Sequence, residues 1–466
     1  MTGRVTIDVL PDGVLLEIFH FYVDAALLYL EIDAWHTLVH VSRKWRCVVF
    51  DSPRRLKLRL LCSASTPVRE MLTIWPPLPI IIWEHNLSAY NEDNITAALE
   101  HPDRVYDVEL RDVPSSLLEK LLPAMQEPFQ ALEYLELETK DNTAPVIPGS
   151  FLGGFAPDLR TLKLTGIPIP FPRLRKLLLS TTDLIDLCLY KIPHSGYFSP
   201  EAMATCLSAL TRLQSLTVGF ESPRSRPYRE NGRPPPPTRT LIPSLSYLKF
   251  TGVSEYLEDL VARIDTPQLN YLEMTLFHQL IFDTPQLAQF LSRSSPEQRG
   301  KAPDEARMIF CDSRAIISLL KGPFQKGLDS GISCRQLDWQ LAALAQVCSS
   351  SFSHAYISTV EHLYILEDEI SQPRWQDDIE NGQWLELLHP FTAVKSLLVS
   401  QEFAPRIAPA LQGLVGERAN EVLPALQSIY LEGLDSSGVV PEGIGQFVTA
   451  RHRSSHPIAV IPWTRS

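Results

Sequence analysis

Twelve short apolar segments with a shared internal spacing recur along the chain, and they limit its fold more than any other feature. They are LKLRLL at 56, PIIIWE at 79, VYDVEL at 105, LEYLEL at 132, LRTLKL at 159 and LIDLCL at 184. LQSLTV follows at 213, LSYLKF at 245, LNYLEM at 269, VEHLYI at 360, VKSLLV at 394 and LQSIYL at 426. Neighbours mostly lie about 23 to 34 residues apart. Each segment alternates as a strand does when one face is buried. Stretches such as SSLLEKLLPAM and EAMATCLSAL, with helical periodicity, separate them. One strand–helix unit cannot bury its own apolar face, so the units are expected to stack on one another. PIAVIPW reads as a closing edge strand. Residues 300–345 carry no clean motif, and RMIFCD and CRQLDW read there as degenerate repeats.

Composition narrows the function. A chain of 466 residues, 45% hydrophobic, can bury a large core. Its net charge of −12 argues against a nucleic-acid binder, which needs a basic patch. Asp8, Asp12 and Glu17 interrupt the N-terminal apolar run, so it does not read as a secretory signal. No stretch approaches the roughly 20 apolar residues of a membrane span. Seven scattered cysteines without a CxxC pair read as buried, reduced thiols. These features predict an intracellular protein, cytoplasmic or nuclear.

The N-terminal residues read as helices with surplus apolar surface. In LPDGVLLEIFHFYV, Val14, Leu15, Ile18, Phe19 and Tyr22 share a helical face behind Pro11 and Asp12. In WHTLVHVSRKWRCVVF the apolar positions run round most of the circumference. Part of that surface packs on the body or awaits another protein.

Leu10-Pro11, Leu15-Leu16 and Ile18-Phe19, followed by Leu38, Val39, Val41, Ser42, Trp45, Arg46 and the DSP at 51–53, resemble an F-box. The whole order, continuing into WPPLPIII, is similar to the expanded F-box-like families of mushroom-forming (basidiomycete) fungi. About fifteen residues between the two motifs, including AALLYLEI, depart from that pattern. The LxxLxL segments carry the core of the leucine-rich repeat, largely without its asparagine. The expected fold is α/β: an F-box-like helical domain at 1–55, then a degenerate leucine-rich-repeat solenoid at 56–466. The solenoid is a horseshoe with parallel strands on its concave face. The resemblance implies a substrate-recognition subunit of an SCF-type (cullin–RING) ubiquitin ligase. Leu10, Pro11, Leu15, Ile18, Phe19, Val41 and Trp45 would then bind a Skp-type adaptor, and through it a cullin. The alternative is a protein-binding scaffold with a helical cap and no ligase role.

Strand alternation places Tyr134, Glu136, Tyr190, Tyr247, Tyr271, Glu273, Tyr364 and Tyr430 on the concave face as target-binding candidates. Asp107, Glu109, Arg111, Glu138, Lys163, Asp186, Lys249, His362 and Glu432 join them. Six tyrosines and an excess of carboxylates on one face predict a basic protein target. The Pro/Arg-rich stretch 222–243 and the stretch 292–307 read as loops.

Signatures of catalysis are missing: no GxSxG, HExxH or GxxxxGK[ST] occurs. GIGQF at 443–447 lacks the preceding strand of a nucleotide fingerprint, and His452 and His456 have no acidic or cysteine companion for a metal. Acidic LEDEI and QDDIE read as solvated, and Trp75, Trp83, Trp339, Trp375 and Trp384 as core. The expectation is a binding protein, not an enzyme, with no cofactor or metal.

Overall fold

The computed structural model describes residues 10–27, 33–62, 68–84, 92–141, 145, 147–227, 238–279, 281–293, 303–320, 326–334, 336–352, 357–374, 380–434 and 440–465. Trp375, most of QDDIE and the central part of the Pro/Arg-rich stretch lie outside the described residues. The chain divides into two compact units, Met1–Gly196 and Tyr197–Ser466.

The first unit opens with three helices, α1 (Asp12–Leu27), α2 (Trp35–Val39) and α3 (Arg43–Asp51). The Pro11 carbonyl accepts from Val14 and Leu15 N–H at 2.9 and 3.0 Å, closing the first turn of α1. Ser42 caps α3, its Oγ accepting from Trp45 N–H. Leu15, Phe19, Trp35, Val39 and Val49 are fully buried between the helices. Trp35 Nε1 donates to the Arg59 carbonyl at 3.0 Å, and Trp35, His36 and Phe50 surround Trp75. An aromatic cluster thus ties this helical head to the strands that follow.

Six parallel strands come next in chain order: β1 (Leu60–Cys62), β2 (Ile80–Glu84), β3 (Val105–Val113), β4 (Tyr134–Thr139), β5 (Thr161–Thr165) and β6 (Asp186–Ile192). The LxxLxL leucines account for the stacking. Leu132, Leu135 and Leu137 are buried, as are their equivalents 159/162/164 and 184/187/189, none more than 4% exposed. Each such side chain contributes roughly 1.5–3 kcal/mol on burial. Gly166, at φ +74° just beyond β5, makes the exit turn. A Cβ there would stand 2.3 Å from Thr139 Oγ1.

The second unit contains β7 (Ser215–Phe220), β8 (Thr240–Leu241), β9 (Tyr247–Gly252), β10 (Ile264–Asp265), β11 (Tyr271–Phe277), β12 (Glu305–Phe310), β13 (Arg314–Leu320) and β14 (Lys326–Ser333). It ends with β15 (His362–Glu367), β16 (Ser396–Val399), β17 (Ser428–Glu432) and β18 (Ala459–Trp463). Its main sheet runs β7-β9-β11-β14-β13-β12-β15-β16-β17-β18. All twelve recurrent segments contain strands, and PIAVIPW supplies β18, where edge-tolerated Pro462 sits.

The stretch 300–345 corrects the expectation of an unbroken parallel array. β13 is antiparallel to both β12 and β14, and this meander sits between parallel partners β11 and β15. A short turn, closed by Cys311 N–H on the Arg314 carbonyl at 2.8 Å, suffices for an antiparallel pair; a parallel pair needs a long crossover. RMIFCD supplies β12, but the leucine of CRQLDW begins the helix Leu337–Ser350. There Leu337, Leu341 and Leu344 are buried at helical spacing. Both proposed loops are shorter than expected. Thr240–Leu241 pairs with Ile264–Asp265, and 292–307 is taken up at its ends by the helix Pro285–Arg293 and by β12. Among the described residues no helix is long and apolar enough to cross a membrane.

Candidate functional site

The seven adaptor candidates fall into different environments. Leu15 and Phe19 are fully buried, with Phe19 4.7 Å from Trp45, so they hold the head together and do not face solvent. Leu10 and Trp45 are half-buried and Pro11 is exposed. Ile18 is 42% and Val41 54% exposed. Beside Ile18 on α1 lie Val14, Tyr22 and Phe21, the last 79% exposed. The apolar surface left open on α1 is therefore Val14, Ile18, Phe21 and Tyr22. Phe21 was missed in the sequence, because it falls outside the LPxxxLLxIF pattern. Lys44–Asp12, Arg55–Glu17 and Lys57–Asp24 ion pairs tie α1 to the residues that follow it.

In the first unit the outward residues of adjacent strands form a cross-strand ladder. Asp107 stands opposite Tyr134, then Thr161 and Asp186; Glu109 stands opposite Glu136, then Lys163 and Cys188. Arg111 Nε lies 2.9 Å from both Glu109 and Glu136, and Lys163 lies 3.9 Å from Glu136 and 3.8 Å from Asp186. Tyr134 donates its hydroxyl to Glu136. Burial pushes the Glu136 carboxyl up, but bonds from Tyr134 and Arg111, with Lys163, outweigh it and hold it below the usual range. Asp107 goes the other way: burial, then Glu109, raises it to about 7. Much of the expected acidic excess is thus balanced by cations in place, and one carboxyl is part-protonated near neutrality. Glu138 and Tyr190 are half-exposed on the same face, one row on.

The second unit carries the other candidates. Tyr247 and Tyr271 stack at 5.2 Å on adjacent strands. Tyr247 donates to Glu273 at 3.1 Å, Tyr271 donates to Asp329, and Lys249 pairs with Glu273 at 2.8 Å. Farther along, the face changes character. Ile316, Ile309 and Leu366 lie opposite one another on β13, β12 and β15. In the adjacent row, Tyr364, Leu398, Tyr430 and Ile461 lie opposite on β15 to β18. Tyr364 and Trp463 approach to 6.1 Å, and Arg307 lies over the Tyr364 ring at 5.1 Å. His362 is exposed at the edge of this region. Of this region the sequence pattern yields only Tyr364 and Tyr430, with His362 and Glu432 at its margins. The available signal was that RAIISLL, RMIF and SLLV are apolar at successive positions, as strands covered on both faces are.

Arg465 closes one end of the patch, bonding Glu367, lying 2.9 Å from Glu432 and 3.7 Å from Glu369. Glu367 is 9% exposed and also accepts from Ser400, so LEDEI is not simply a solvated run. Other motifs resolve into packing. The first glycine of GIGQF lets the helix Glu442–Arg453 approach the helix Ala404–Gln412: a Cβ on Gly443 would meet the Ala408 carbonyl oxygen at 2.3 Å. His456 Nδ1 lies 2.7 Å from the Ser454 carbonyl, and among the described residues no cluster of His, Cys, Asp and Glu is arranged to hold a metal. Trp384 is buried, but Trp339 is 47% exposed and stacks on His278 at 5.0 Å, so it is not core. Cys62, Cys206, Cys311, Cys334 and Cys348 are buried, but Cys188 is half-buried and Cys47 exposed.

No protein-family profile matches the sequence, and no curated protein matches it. Among solved structures, the chain is similar to LegL7, a leucine-rich repeat-containing protein from Legionella pneumophila. The TM-score is 0.28 and the identity 14%, over 85% of this chain and 97% of that one.

Proposed function

We propose that this chain is the substrate-recognition subunit of an SCF-type ubiquitin ligase, its helical head binding a Skp-type adaptor and its open sheet faces binding the protein to be modified. The observation that carries the reading is the stripe Val14, Ile18, Phe21 and Tyr22. These are large apolar side chains left exposed, with Val41, on a head whose other apolar residues are buried or half-buried. A stripe of this kind on a short helix is suited to a protein partner. Ile18 belongs to the residues that resemble an F-box, and Val14, Phe21 and Tyr22 adjoin it on the same helix. The repeat array adds a broad outward face of tyrosines and charged pairs, a surface suited to protein binding.

The aromatic anchorage of the head, with Trp35, His36 and Phe50 around Trp75, favours a second reading, a scaffold whose head caps the strand array. The two readings separate in one experiment. The purified chain is mixed with a Skp-type adaptor and run on a sizing column. Co-elution is the expected result; separate elution at micromolar concentrations leaves the cap.

A further inference from the structure

Resting on the reading of the open faces as target-binding surfaces, we propose that the Tyr197–Ser466 unit takes its target as an apolar segment ending in a lysine or arginine. Ile316, Ile309 and Leu366 form one row of half-buried side chains, and Tyr364 and Tyr430 lie in the next, with Trp463 beyond them. The patch crosses six strands, from β13 to β18, or roughly 24 Å at the usual strand separation. A sheet whose second face meets water ordinarily alternates apolar with polar. The first unit obeys that rule with Asp107, Glu109, Glu136 and Lys163 at the outward positions. Here the outward residues Ile316, Ile309 and Leu366, then Leu398, Tyr430 and Ile461 in the next row, are apolar, with Arg307 and Ser318 flanking them in line with Tyr364. A contiguous apolar patch of this size marks an interaction surface.

Charge selects the occupant. At the C-terminal ends of the strands, Glu367, Glu369 and Glu432 meet a single guanidinium, that of Arg465, so this rim carries an excess of negative charge. At the opposite ends Glu305 pairs with Arg307 and Glu361 with Lys395, one to one. Exposed Asp304 adds to the opposite ends, and exposed Arg314 offsets part of the rim. The three rim glutamates still outnumber their cations, so an apolar segment laid across the patch meets the stronger attraction for a cation at the C-terminal rim.

The test is selection from a phage-displayed library of random peptides, long enough to cross the patch, against the immobilised full chain. Enriched peptides are expected to carry large aliphatic or aromatic residues followed by lysine or arginine. Their synthetic forms should bind the Leu366→Ser and Tyr364→Ala variants at least about tenfold more weakly, and Glu432→Lys should erase the preference for a basic end. Melting temperatures identify any variant that fails to fold; Glu432→Lys, at the rim, then still reads the charge half. Enrichment of acidic or wholly polar peptides, no enrichment over Leu366→Ser, or equal binding to wild type and variants would overturn the proposal. So would self-association of the wild type that Leu366→Ser abolishes, since the occupant would then be a second copy of this chain. Adaptor co-elution is measured on the same variants and is expected to be unchanged. Its absence in the wild type would sink the ligase reading and leave this one standing.

Discussion

Asp107 shows how far a single outward residue can depart from its appearance in the sequence. It reads as one more surface carboxylate, yet burial and Glu109 raise its pKa to about 7. The folded state therefore holds this proton more tightly than the unfolded chain does. Its contribution to stability falls as pH rises from about 4 to 7, and above that the penalty is present in full. Asp107→Asn removes the charge and the penalty together. Urea unfolding of wild type and variant at about pH 5.5 and about pH 8 should show the variant more stable at the higher pH by about 1–2 kcal/mol, allowing for partial solvation, and the gap closing at the lower. An equal gap at both pH values would show that Asp107 does not titrate in this range. Other buried charges were equally invisible. Arg451 is fully buried and donates to Asn420 and to four backbone carbonyls, those of Ala419, Leu423, Pro424 and Leu426. Glu258 accepts from Gln286 and Leu287 N–H and so caps the next helix. Their partners lie some 25 to 32 residues away, one repeat on, where no local pattern points.

At the scale of elements, strands were the most legible feature, because the inward leucines of LxxLxL repeat at positions that only a stacked strand satisfies. The meander β12–β14 was not legible: MIF in β12 and AII in β13 are apolar at successive positions, while KGLDSGIS in β14 carries too few apolar side chains to alternate, so the signal that separates strand from helix is blurred. The same ambiguity makes CRQLDW read as a degenerate repeat, although Leu337, Leu341 and Leu344 keep helical spacing. The helices near the C-terminus supply an internal test of packing. Gly443 sits against the Ala408 carbonyl, whereas Gly445, two residues on, has nothing within 4 Å. Gly443→Ala should force the helices Ala404–Gln412 and Glu442–Arg453 apart and cost about 1–3 kcal/mol. Gly445→Ala should stabilise by about 0.5–1 kcal/mol through better helix propensity. Thermal melts of the two variants should move in opposite directions; a shift of the same sign would mean that the close approach of these helices has been misjudged.

At the scale of the whole molecule, a helical head with an open apolar stripe accompanies two stretches of strand array with different outward chemistry. The first array presents a ladder of carboxylates braced by Arg111 and Lys163. The second moves from stacked tyrosines to an apolar patch. In the sequence, the head was legible as a helical pair with surplus apolar surface, but which side faces outward was not: Leu15 and Ile18 are three residues apart on one helix, and only burial separates them. That separation makes the central claim testable. Val14 and Ile18 are 45% and 42% exposed, so aspartate at both positions should leave the fold intact, whereas Leu15→Asp should unfold the head. The decisive measurement is the affinity of the Val14→Asp, Ile18→Asp double variant for a Skp-type adaptor, by titration calorimetry, beside its melting temperature. An unchanged melting temperature and a loss of affinity of at least about a hundredfold are expected; wild-type affinity in a folded double variant would mean that this stripe is not the adaptor site.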